Sequence, residues 1–151
     1  MAKPIHADGG KFVVKFGDGA DPEVFASKCM INTNRGISFT TEVSTSNLPD
    51  CDDPDAPDIL IKRVISKDFE ITGEGTYDGA SEEFFFDLWN TGAPINVVVE
   101  RVAESGVAGV SYAGPVIMTQ FDITAPHKEL STASMTFTGA GDLVRTTIAA
   151  A

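Results

Sequence analysis

The sequence predicts a mainly β chain carrying one short α-helix. Three observations predict it. Apolar residues recur with a period of two along most of the chain, turn-forming clusters separate those runs, and one segment alone switches to a helical period.

Phe12, Val14 and Phe16 alternate with Lys11, Val13 and Lys15 in the first run. Ile37, Phe39, Thr41 and Val43 alternate with Ser38, Thr40, Glu42 and Ser44 in a second. Phe69 and Ile71 stand between Asp68, Glu70 and Thr72, while Ile117, Thr119, Phe121 and Ile123 stand between Met118, Gln120 and Asp122. Further strands are expected over 24–31, 59–65, 95–102, 107–112 and 134–138. Neighbouring side chains on a strand point to opposite faces, so each run offers one core face and one polar face. Gly17-Asp18-Gly19, the stretch 32–36, Gly114-Pro115 and Gly139-Ala140-Gly141-Asp142 have turn composition.

Ser81-Glu82-Glu83 supplies an N-cap and two acids where the helix dipole favours negative charge. Phe84, Phe85, Leu88 and Trp89 then form one apolar stripe, and Gly92 and Pro94 stop the helix. A helix is expected over about 81–90, with that stripe as its core face. Phe86 lies off the stripe, at the flank of the core or as an anchor toward another subunit.

The segment 47–58 (NLPDCDDPDAPD) carries five Asp, three Pro and no base. It reads as an extended loop, either solvated or ordered by a partner subunit. Counted from Asp50 as a calcium loop, it puts Pro54 fifth, Asp55 where glycine belongs and Ile61 where the bidentate glutamate belongs, so it is no EF-hand. A calcium site of another kind remains an alternative for these aspartates.

At 151 residues the chain is expected to be a single domain. Its 22 acids against 11 bases give a net charge of −11, which argues against tight binding of a phosphate backbone. No run approaches the ~20 apolar residues of a membrane span, so no membrane binding is expected of the chain itself. The N-terminal stretch has no hydrophobic region of a signal peptide, and the two cysteines, Cys29 and Cys51, read as reduced cytosolic thiols. A disulfide formed after release from the cell is the alternative. No enzyme is expected: the two histidines, His6 and His127, have no spaced partners, and neither a nucleophile elbow nor a zinc helix is present. Gly73-Glu74-Gly75 lacks the spacing and the Lys of a phosphate loop and reads as a turn or bulge. No cofactor or metal is assigned.

The order of these segments resembles the major tail (tail-tube) proteins of long-tailed bacteriophages. The similarity runs from about residue 10 to 140. Its most specific parts are T-T-E-V-S-T at 40–45 and F-E-I-T-G-E-G-T-Y at 69–77, followed by a helix. The resemblance implies a β-sandwich or barrel flanked by one helix, six copies to a ring, and rings stacked into a hollow tube for DNA ejection. It implies a virion (tail) location after assembly in the host cytoplasm. The implied partners are further copies of the chain, other tail proteins such as tape measure, terminator and distal tail proteins, and genomic DNA that passes without tight binding. By position, the arms would be 1–10 and 143–151. The long inter-strand loop would be 45–58, with Leu48, Asp50, Asp52, Asp53, Asp55 and Asp58 as its inter-ring residues.

An acidic wall suits a conduit, because DNA carries one charge per ~1.7 Å and is repelled by carboxylates. Glu42, Asp68, Glu70 and Asp122 are the candidate lumen-lining acids. Two alternatives keep the fold, a secretion-type injection tube subunit and a tail-terminator ring. A third is a carbohydrate-binding β-sandwich module on a virion surface, its aspartate loop assisted by calcium.

Overall fold

Alternating apolar side chains need one buried face, and the chain supplies it by laying its strands side by side under a single helix. A computed structural model of the protein describes residues 11–28, 30–104 and 106–150. The elements are β1 (Phe12–Gly17), β2 (Phe25–Ser27), β3 (Asn34–Leu48), β4 (Ile59–Thr76), α1 (Gly79–Thr91), β5 (Ile95–Arg101), β6 (Gly109–Thr124), β7 (Thr132–Gly139) and β8 (Val144–Ile148). The mainly β, one-helix fold is as expected. All strands belong to one open antiparallel sheet, ordered β2-β1-β5-β6-β7-β4-β3, with β8 also paired to β6. Among the described residues the sheet is open, and it curls so that Phe16 of β1 meets Phe137 of β7 at 5.4 Å and β1 touches β3.

Several boundaries differ from the sequence expectation. The runs 59–65 and 69–72 belong to one strand, β4, and 107–112 joins 117–123 in β6. Gly73 and Gly75 lie inside β4, not in a turn. A Cβ on Gly75 would come within 2.2 Å of the Met30 carbonyl oxygen, so glycine lets the 30–32 segment cross the sheet in contact. Gly114-Pro115 is likewise internal to β6. The Pro115 carbonyl accepts from the Ala140 N–H at 2.8 Å. The amide of a strand residue points to the same edge as its carbonyl. The missing N–H of Pro115 therefore falls where 140–143 interrupts the run from β7 into β8 along β6. Among the described residues of the segment 24–31, Phe25–Ser27 is strand. The segment 143–151, expected as an arm, holds β8, and Leu143 packs against the core.

The helix is longer than expected, and its N-cap is Asp78, not Ser81. The Asp78 carboxylate accepts from the Ala80 N–H at 3.2 Å and from the Ser81 hydroxyl at 2.8 Å. Gly92 closes the helix with φ 64°, its N–H donating to the Leu88 carbonyl at 3.2 Å. Phe85 is fully buried and meets Phe16 edge-on at 5.4 Å between centroids. Phe84 and Leu88 are half-buried against the same core, which includes Ile71, Val97, Val116, Met135 and Phe137. Trp89 is the correction: it is 54% exposed. Ser81, Phe84, Phe85 and Leu88 place the centre of the contact between Phe85 and Leu88, and Trp89 lies about 40° beyond Phe85 on the side away from Leu88, which carries its ring off the core.

Candidate functional site

One face of the sheet is core; the opposite face over β3, β4, β7 and β6 is built from carboxylates and hydroxyls. Register fixes this. Ser38 opposes Glu70 and Thr40 opposes Asp68 between β3 and β4. Glu70, Thr72 and Glu74 oppose Thr138, Thr136 and Ser134 on β7, and Thr136 and Ser134 oppose Gln120 and Asp122 on β6. The intervening residues, among them Ile71, Phe137 and Met135, point to the core. Thr119 is the irregularity that keeps β6 in phase: its hydroxyl donates to the Thr136 carbonyl at 3.2 Å.

All four acids singled out from the sequence, Glu42, Asp68, Glu70 and Asp122, lie on this face and are exposed. Glu74 joins them. Reading Gly73-Glu74-Gly75 as a turn hid it, although its even-numbered phase with Glu70 and Thr72 was present in the sequence. Among the described residues no Lys or Arg shares the face over β3 up to Glu42, β4 from Ser66 onward, β7 and the C-terminal half of β6. The acids bond to hydroxyl and amide donors: Ser66 Oγ donates to Glu42 Oε2 at 3.1 Å, and the Gln120 amide to Asp122. A shallow groove of about 130 Å³ crosses the strands between Asn34, Glu74 and Asp122.

The second feature is a ribbon. β4 pairs with β7 only over Glu70–Thr76, yet continues with β3 alone to Ile59↔Leu48. The expected loop over 45–58 is therefore strand as far as Leu48, and the turn proper is 49–58. Asp50, Asp52, Asp53, Asp55 and Asp58 sit at its exposed tip, and Asp50 Oδ1 accepts from the Asp52 N–H at 2.9 Å. Among the described residues, no group of three acids, histidines or cysteines is placed to hold a metal ion. Cys51 is a free, exposed thiol at the tip; Cys29 lies outside the described residues, as do His6 and the arm over 1–10. His127 is exposed in the turn between β6 and β7.

The ribbon faces are not uniform. A bulge between Glu42 and Val43 shifts the register by one residue on β4. Beyond it, Ser44, Arg63, Ser46, Ile61, Leu48 and Ile59 continue the acidic side, and Val43, Val64, Thr45, Lys62, Asn47 and Leu60 continue the core side. Both sets are exposed.

The geometry is that of a surface and a projection. A family model described as phage tail tube protein matches residues 6–145. The chain belongs to the phage tail tube protein family. The family is structural, and this chain is a tail-tube subunit. No curated protein is significantly similar in sequence.

Solved structures share the fold at low identity. One is the tail of an empty gene transfer agent (GTA) particle, refined helically with C6 symmetry. It has a TM-score of 0.69 at 18% identity, over 93% of this chain and 99% of that one. A chain of the six-fold symmetrised baseplate of the anti-feeding prophage superposes with a TM-score of 0.63 at 12% identity, over 97% of each chain. The sheath-tube complex of an extracellular contractile injection system gives 0.55 at 10% identity, over 95% of this chain and 93% of that one. Among the described residues of the tail-tube chain, no helix is long and apolar enough to cross a membrane.

Proposed function

We propose that six copies of this tail-tube chain close into a ring, that rings stack into a tube, and that the acid-and-hydroxyl face of β3, β4, β7 and β6 lines the bore. The observation that carries this reading is the segregation of charge. Glu42, Asp68, Glu70, Glu74 and Asp122 share one sheet face without a base, while Phe69, Ile71, Met118, Met135 and Phe137 on the other face are core. A wall of this kind holds DNA away while hydroxyls keep the surface wet, so the polyanion slides and does not bind. The open edges of the sheet at β2 and β3 are what ring closure would cover. The six-fold symmetry of the similar GTA tail and anti-feeding prophage baseplate supports the ring size.

The ribbon and its tip, with Leu48, Asp50, Asp52, Asp53, Asp55 and Asp58, reach the adjacent ring. The chain works in the virion tail after assembly in the host cytoplasm. Terminator, distal tail and tape measure proteins are its partners at the tube ends and in the bore; likeness to the cap of the anti-feeding prophage tube supports the first of these. Negative-stain imaging of concentrated purified protein tests the reading. Long hollow tubes are expected, and lone particles at every concentration would overturn it.

A further inference from the structure

The outer side of α1 carries an apolar patch that no other described residue covers. Phe86 and Trp89 are 46% and 54% exposed, their rings 5.9 Å apart. Phe121 and Ile123 of β6 complete a cleft of about 350 Å³, and Glu82 stands at its rim. On a soluble chain, a contiguous apolar patch with a charged rim marks a docking surface.

The ribbon has the complementary pattern. Its core-side face carries Lys62, with Leu60 and Val64 on either side of it along β4. All three are exposed, so ribbon and patch do not cover one another within one chain. A two-stranded ribbon without a third strand or a helix is marginal in water and gains order by docking. The ribbon's Lys62 side continues the side of the sheet on which α1 packs, whereas its Arg63 side continues the acidic face assigned to the bore.

We propose that the ribbon of one copy lays its Lys62 face over the Phe86–Trp89 patch of a neighbouring copy, with Lys62 against Glu82. The occupant is a second copy because the chain itself carries both halves, apolar surface against apolar surface and base against acid. Donor and acceptor lie on different parts of one chain, so the contact is head-to-tail and repeats through a polymer. This inference rests on the tube reading and assigns the surface that receives the ribbon.

A charge swap tests it. Lys62→Glu alone and Glu82→Lys alone are each expected to lower the yield of tubes at low salt by at least ~10-fold. The double variant is expected to restore it. Trp89→Ser is expected to abolish tubes whatever the salt. Each monomer should melt within ~4 °C of the wild type, which separates loss of docking from loss of fold. Either single charge variant polymerising like the wild type, a double variant that stays unassembled, or tubes of Trp89→Ser would overturn the pairing. A wild-type chain that forms no tubes would overturn the tube reading itself, and the pairing with it.

Discussion

The β3–β4 hairpin is two structures in one pair of strands. From Asn34↔Glu74 to Phe39↔Phe69 it is part of the body, with Ile71 and Phe69 buried in the core and β7 paired with β4 over Glu70–Thr76. From Thr41↔Lys67 to Leu48↔Ile59 it keeps the same partner, but every side chain is exposed and the other edge of β4 is open. The inner half is held by burial, worth about 25 cal/mol per Å² of apolar surface, and the outer half by cross-strand pairs worth about 0.2–1 kcal/mol each. Stability therefore lives in the inner half, and the outer half is free to serve assembly.

The largest effect should come from the body. Phe85→Ala opens a cavity beneath Phe16 and Phe137 and should cost about 3–5 kcal/mol, read as a large drop in denaturant midpoint. A change below 1 kcal/mol would mean that α1 does not hold the sheet. The ribbon should behave in the opposite way. Replacing 44–63 by Asn-Gly joins the paired Val43 and Val64 through a two-residue turn. The monomer should then melt within about 4 °C of the wild type and fail to form tubes. A variant that unfolds would place the ribbon in the stable body.

The helix shows how far the sequence carried. Its existence, its Gly92 stop and the burial of Phe85 were legible from the stripe and the stop residues. Trp89 was not, because apolar identity at helical spacing does not separate a residue facing the core from one facing a partner subunit. Trp89→Ala should therefore change stability by only about 0.5 kcal/mol in the monomer, where a core tryptophan would cost several. A cost of several kcal/mol would return Trp89 to the core.

The four acids were legible in the same sense: period two put each on a polar face, and register then put all of them on one. The joins were hidden. Gly73, Gly75 and Gly114 read as turns because glycine is a turn former, whereas here neighbouring chain packs against the strand where a side chain would stand. Beyond Thr45 the sequence reads as loop because Ser46, Asn47 and Leu48 do not alternate in hydropathy, and a strand with no buried face has no reason to.

The smallest expected effect concerns the turn between β1 and β2. The Asp18 carboxylate accepts from the Ala20 N–H at 2.9 Å and the Val24 N–H at 3.1 Å, and these bonds hold its pKa below the usual 3.8. A lowered carboxyl stabilises the fold fully above pH 3.8 and loses that contribution as pH falls through its folded value. Asp18→Ala should remove this small acid-limb slope from a melting-versus-pH profile while leaving tube yield unchanged. An identical acid limb in the variant would show that the turn does not depend on the charge.

Electron cryomicroscopy of assembled tubes, at a resolution that places side chains, tests the central claim most directly. Glu42, Asp68, Glu70, Glu74 and Asp122 of every copy should face the bore, with α1 on the far side of the sheet. A bore walled by the helix side, or by Lys62 and Lys67, would contradict it.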